Sequence, residues 1–196
     1  MAQEIVPRWE WRAFGDSFNG SPNPFSSFNP KGVQQSDETY FLSLASSENV
    51  KVRDALMDIK ALQQVNADGL QQWKPVMKQG FPLPSAEVAR IVAILRLPAR
   101  QLQRSEFTLQ QLLDEVMTPI PEVRVVNVHK TRTRYAVEGC MAEMAEVSAD
   151  GKTTRTIALE SEEARQVTAT VQKLGVDKCG NTSYPQGLKQ LLGMHG

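Results

Sequence analysis

The sequence predicts an α+β protein: an antiparallel β-barrel of about eight strands, charged on the inside, with helices packed against the outside. Three observations predict it. Charged residues recur at every second position over several stretches, which is the period of a strand with one polar face. Segments in the middle and near the end of the chain change to the 3.6-residue period of a helix. The two faces of the strands also resist sorting into a core and a wet surface. Lys130, Arg132 and Arg134 alternate with His129, Thr131, Thr133 and Tyr135, a poor core, whereas Arg8, Glu10 and Arg12 back onto Trp9 and Trp11, which require burial. A closed barrel with a polar lumen and apolar outer faces covered by helices satisfies both.

The elements follow in order. RWEWRAF (8–14) is a first strand. The stretch 15–32 is rich in Gly, Pro, Asn and Ser and is a loop, whose three Phe suggest packing against the rest of the chain. ETYFLSL (38–44), ENVKVRD (48–54) and MDIKALQQV (57–65) are strands; Lys51 and Arg53 share one face, as do Asp58 and Lys60. NADG (66–69) is a turn, and LQQWKPVMK (70–78) is a further strand with Pro75 at an edge or a bulge. Ser85 is placed as the cap of a helix over 86–97, with Val88, Ile91, Val92 and Leu95 on its apolar stripe. Thr108 and Gln111 have the spacing of a capping box before a helix over 109–117.

A long strand, VRVVNVHKTRTRYAVEG (123–139), presents Lys130, Arg132 and Arg134 from one face. CMAEMAEV (140–147) runs into a turn centred on Asp150-Gly151. That turn pairs Ala149 with Lys152, which puts Glu143 opposite Ala158, on the face of Glu160 and Glu162, and Glu146 opposite Arg155 on the other. A helix over 161–175 and a short terminal helix complete the chain.

Composition narrows the function. The 196 residues suffice for a single domain. Lys+Arg and Asp+Glu both number 22, which argues against bulk electrostatic binding of nucleic acid while leaving a local basic patch open, and no specific nucleic-acid partner is expected. Cys140 and Cys179 are too few for a disulfide framework or a four-cysteine zinc site. No apolar run reaches the roughly 18 residues of a membrane span, so a cytoplasmic protein without a membrane partner is expected. His129 and His195 are too far apart for a histidine metal site, and Cys140 has no histidine partner in sequence. No Gly-rich phosphate loop is present.

What remains is a set of strand cations, Arg12, Lys51, Arg53, Lys60, Lys74, Lys78, Lys130, Arg132 and Arg134, and a smaller acidic set, Glu10, Glu143, Glu160 and Glu162. Inward cations require a polyanion, and converging carboxylates a hard divalent cation. Together they suit phosphate chemistry.

These motifs, RWEWR (8–12), VKVRD (50–54), MDIK (57–60), KTRTR (130–134), ALESE (158–162) and the tail at 173–193, in this order resemble the CYTH, or triphosphate tunnel metalloenzyme, superfamily. The resemblance spans nearly the whole chain. It implies a tunnel that hydrolyses a triphosphate with Mg2+ or Mn2+. Glu10, Glu160 and Glu162 would be metal ligands, and Glu10 or Glu143 would orient the attacking water. The strand cations would grip phosphate oxygens. The chain departs from the family at its opening motif, where E-x-E-x-K has become Arg8-x-Glu10-x-Arg12. Arg8 removes a carboxylate. The departure favours a second reading, a non-catalytic module that binds polyphosphate or nucleotide. A third is a scaffold whose 15–32 loop docks a protein partner or plugs the tunnel. Glu162 has a plainer alternative role, favouring the N-terminus of the following helix.

Overall fold

The computed structural model describes residues 6–195. Its strands are β1 (Arg8–Phe14), β2 (Gly32–Ser43), β3 (Asn49–Arg53), β4 (Leu56–Val65) and β5 (Gln71–Gly80), then the short β6 (Leu83–Pro84). After α1 (Ser85–Ile94) come β7 (Glu106–Phe107) and α2 (Leu109–Gln111), which continues as a π-helical stretch over Leu112–Met117. The second half holds β8 (Val123–Val137), β9 (Cys140–Ala149), β10 (Lys152–Ser161), α3 (Ala164–Lys173) and α4 (Tyr184–Leu192). Eight strands close into an antiparallel barrel in the order β1-β10-β9-β8-β2-β3-β4-β5, with β5 pairing back onto β1. β6 and β7 form a separate two-stranded sheet.

The barrel follows from the alternation. Trp11 and Ala13 face outward into a cluster with Val167 and Val171 of α3, and Phe18 and Phe25 of the 15–31 loop are buried in the same cluster. The loop therefore covers the outside of the barrel and does not plug it. A second outer cluster packs Val88, Ile91 and Val92 of α1 against Val50, Met57 and Ile59; each such side chain contributes about 1.5–3 kcal/mol on burial. The third cluster lies inside. Leu42, Val126, Val128, Ala145 and Val147 point into the lumen and meet Tyr184, Leu188 and Leu192 of α4, which stops that end of the barrel. Ser183 caps α4, accepting a hydrogen bond from the Gln186 amide. Gly187 lets α4 seat against Phe14, since a Cβ there would lie 2.2 Å from the ring.

The turn at Asp150-Gly151 sets the expected register, with Ala149 opposite Lys152 and Glu143 opposite Ala158. Pro75 sits opposite Lys60 beside a bulge, as a closed barrel has no edge to offer it. Several boundaries differ from expectation. β2 begins at Gly32, because its first half pairs with β8 from Arg134 onward. Pro84, not Ser85, occupies the N-cap of α1, and the Ser85 amide bonds to the Ser105 carbonyl. That helix ends at Ile94, short of 97, and Arg96 turns left-handed with φ 55°. α3 starts only at Ala164, because Glu160 and Ser161 still belong to β10. Glu146 and Arg155 are opposite as expected, but the Arg155 guanidinium instead donates to the carbonyls of Asp16 and Pro22 and ties the loop down. No helix among the described residues is long and apolar enough to cross a membrane.

Candidate phosphate-binding cavity

The lumen divides along its axis into a floor in which Lys51 and Lys130 share the buried Glu38 carboxylate and a cavity in which cations are in surplus. Period-2 alternation on β2 brings Ser36, Glu38 and Tyr40 to the inner face, in register with Lys130 and Val126 on β8 and with Lys51 and Arg53 on β3. Glu38 is 2% exposed. Its carboxylate accepts hydrogen bonds from Lys130 Nζ at 2.7 Å, Lys51 Nζ at 2.9 Å and Tyr40 Oη at 3.0 Å. Lys130 also donates to Tyr40 Oη at 2.6 Å and lies 3.9 Å from the centre of the Tyr184 ring. Burial alone would raise the Glu38 carboxyl, but Lys130 and Lys51 outweigh it and hold it well below the usual carboxylate range. Burial, and the second ammonium beside it, lower Lys130 well below its ordinary value.

One layer nearer the mouth, Arg12 is 4% exposed. Its Nε donates to Glu10 at 2.8 Å, Nη2 to Glu143 at 3.0 Å and Nη1 to Thr156 at 3.3 Å. Arg132 reaches the other oxygen of Glu143 at 3.4 Å. Burial raises the carboxyls of Glu10 and Glu143, but Arg12, joined by Lys60 at Glu10 and by Arg132 at Glu143, more than reverses this, so both are held below their usual range. Glu160 faces Glu10 across the β1–β10 pair. Burial first, and the Glu10 charge second, push its carboxyl up to about 7, against the pull of Lys60.

Beyond this layer lies a cavity of about 530 Å³, lined by Arg8, Lys31, Arg53, Lys60, Arg132 and Arg134 and by only two carboxylates, Glu143 and Glu160. Such a volume is ample for a small ligand. Arg53 is held by Asp58 at 2.9 Å, and Arg132 and Arg134 both donate to Gln34 at 2.9 Å. Among the described residues, Arg132 Nε and the Tyr184 hydroxyl are buried without a hydrogen-bond partner.

The expected site residues therefore fall into groups. Arg53, Lys60, Arg132, Arg134, Glu143 and Glu160 line the cavity. Glu10, Arg12, Lys51 and Lys130 point inward but lie deeper, buried and paired. Lys78 stands opposite Asp58 but is exposed, and the bulge turns Lys74 to the register position opposite Ala61; neither lines the cavity. Glu162 lies one residue past β10, exposed and away from the cavity lining, because the chain has already left the barrel there. His129 points outward to Asp37, as expected. Four residues central to the lumen were not singled out from sequence as ligand-facing: Glu38, Tyr40, Tyr184 and Lys31. Lys31 comes from the loop end and carries no periodic signal. Glu38 was readable, two positions before Tyr40 on the inner face.

A divalent cation needs several oxygen ligands with free lone pairs. Among the described residues no three His, Cys, Asp or Glu side chains are grouped to hold one. Glu10 and Glu143 are engaged by Arg12, which leaves Glu160 alone. The residues present do not fit a protein-held Mg2+ or Mn2+.

No protein-family model and no curated protein matches the chain. Solved structures do. The PH1012 protein of Pyrococcus horikoshii OT3 superposes with a TM-score of 0.51 at 13% identity, over 94% of this chain and 98% of that one. A conserved hypothetical protein of Pyrococcus furiosus gives 0.50 at 12% identity, over 91% and 98%. The chain shares their fold. A Hippeastrum protein named as an adenylyl cyclase and found to have a dominant triphosphatase activity gives 0.48 at 15% identity, over 93% of this chain and 96% of that one.

Proposed function

We propose that the chain is a divergent member of the CYTH, or triphosphate tunnel metalloenzyme, superfamily. In this reading it binds the phosphate chain of a triphosphate in the open half of its barrel, with inorganic triphosphate as the simplest ligand. The observation that carries this is the charge of the cavity: six cationic side chains against two carboxylates in one concave space. Convergent cations with low-dielectric walls raise the local potential and draw in a polyanion. Arginine dominates the set, and its planar fork matches phosphate oxygens two at a time. The unpartnered Arg132 Nε supports the reading, since Arg132 lines the cavity and buried donors are rarely left without an acceptor.

A second reading, hydrolysis, is favoured by Glu160. It faces the cavity, and its carboxyl, pushed up to about 7, suits a general base at neutral pH. Glu160 would take a proton from a water whose oxygen attacks the terminal phosphorus. The bond from that phosphorus to the bridging oxygen breaks, and phosphate and pyrophosphate leave.

Calorimetric titration with triphosphate, run beside a phosphate-release assay in Mg2+, Mn2+ and EDTA, separates the readings. Binding that weakens in Arg132→Ala and persists in Glu160→Gln supports the binding module. Release that Glu160→Gln abolishes supports hydrolysis. No binding of triphosphate by the native protein refutes both.

A further inference from the structure

We propose that Arg12 stands in for a divalent cation in this barrel, so that the phosphate chain is held by side chains alone; the second clause rests on the binding proposed above. Two carboxylates, Glu10 and Glu143, engage Arg12, and a third, Glu160, stands opposite Glu10. Glu10 and Glu160 are cross-strand partners on β1 and β10. Ala158 of β10 faces Arg12 on one side and Glu143 of β9 on the other. Glu10 and Glu143 are the oxygen donors that a hard cation would need beside Glu160, and as the side chains stand no three of the described residues are grouped to hold one. The guanidinium is there instead, and each of its nitrogens has a defined acceptor: Glu10, Glu143 and Thr156. Its carbon lies 4.8 Å from the centre of the Tyr184 ring, so aromatic packing adds to the ion pairs. Unlike the mobile ammonium of a lysine, the planar fork has one geometry that serves both carboxylates, which fixes it in place. A metal would have to displace a buried side chain from two carboxylates or bind beside its charge.

The consequence reaches the cavity. Arg12 takes up the charge of Glu10 and half of the hydrogen bonding of Glu143, which leaves the outer cations to the ligand. The native protein should therefore need no metal to bind triphosphate, and loss of Arg12 should create a metal site.

Binding of Mn2+ is read directly by paramagnetic resonance, without phosphate, on the native protein and on Arg12→Gln and Arg12→Lys. Triphosphate binding is measured in parallel with and without EDTA. The native protein is expected to leave Mn2+ free. Arg12→Gln is expected to bind it more tightly by at least about 10³-fold, the factor for one unit charge acting on another roughly 4 Å away at an effective dielectric near 20, since Mn2+ carries two. Arg12→Lys, which keeps the charge but frees one carboxylate, should lie between. Micromolar Mn2+ binding by the native protein overturns the proposal, as does a folded Arg12→Gln that binds no tighter. If Arg12→Gln does not fold, the native protein and Arg12→Lys decide the matter. Triphosphate binding that EDTA abolishes also overturns it. Triphosphate binding absent in both buffers overturns the binding function instead, and leaves the place of Arg12 standing on the Mn2+ result.

Discussion

Glu38→Gln removes the buried carboxylate that Lys51 and Lys130 share in the lumen floor and tests whether that floor is held by charge. Glu38 accepts from two ammonium groups and a phenol, all between 2.7 and 3.0 Å, with its side chain fully buried. Removing one partner of a buried pair costs about 3–5 kcal/mol, because the other charge is left unmatched. The amide oxygen of glutamine recovers part of this by accepting one donor, so the lower end, about 3 kcal/mol, is the expected loss. In a chain of this length that corresponds to a melting point lower by roughly 6–12 °C. The loss should depend on pH. Lys130 is held well below its ordinary value of 10.5, by burial first and by Lys51 second. Without Glu38 its proton is bound more weakly still. A lysine whose folded value is depressed binds fewer protons folded than unfolded, so stability rises with pH between the two values. The gap between variant and native protein should therefore be widest below the depressed folded value of Lys130 and shrink as pH rises through it. Urea unfolding followed by circular dichroism at several pH values measures it. A gap below about 1 kcal/mol, or one that does not change with pH, would refute the argument that the floor is an obligate ion cluster.

Other outcomes follow from the same geometry. The folded value of the Glu160 carboxyl, about 7, lies above its ordinary 4.5. The folded state thus keeps a proton that the unfolded chain releases, and stability falls as pH rises from 4.5 to 7, by about 3 kcal/mol in all. Glu160→Gln should match the native protein near pH 4 and exceed it at pH 8; unfolding curves that differ equally at both would exclude the shift. Arg134→Ala, at the exposed mouth, should weaken triphosphate by about 10–100-fold, the worth of one charge-assisted hydrogen bond, with little change in melting point. Gly187→Ala must push α4 away from the Phe14 ring, which should destabilise the fold by about 1–3 kcal/mol in denaturant unfolding; an unchanged midpoint would mean that the helix does not seat there as described.

Much of the barrel was legible because its strands carry a strict period of two. The Asp150-Gly151 turn fixed the β9–β10 register, and with it the inward position of Glu143. What alternation reports is which face a residue occupies; it carries nothing about depth along the barrel axis. Lys130, Arg132 and Arg134 look equivalent as KTRTR, yet Lys130 is 5% exposed and bound to Glu38, whereas Arg134 is exposed at the mouth. Strand ends were the other weakness. Reading β2 from residue 38 hid the pairing of its first half with β8 and left Glu38 at a strand's start instead of its middle. Reading Glu162 as inward required one more residue of regular strand than β10 has, and the chain bends at Glu162. Lys74 was misplaced by a bulge, which shifts the side-chain order without any change in composition.

The division of the lumen gives the departure at Arg8 a physical meaning. Were the buried half and the open half equally cationic, Arg8 would add one more charge to an already repulsive interior. Instead the floor pairs its cations with Glu38, and the next layer pairs Arg12 with Glu10 and Glu143. Arg8 then stands at the exposed start of β1, where it donates to Met141 Sδ and water solvates it at little cost. A carboxylate at that position would border the same cavity as Glu160 and reduce its cationic surplus. Arginine at both ends of the RWEWR motif therefore acts in one direction: Arg12 occupies Glu10 and Glu143 from below, and Arg8 adds a cation at the mouth. The buried guanidinium neutralises the acidic layer, so the surplus of the cavity above it is carried by side chains that water can reach.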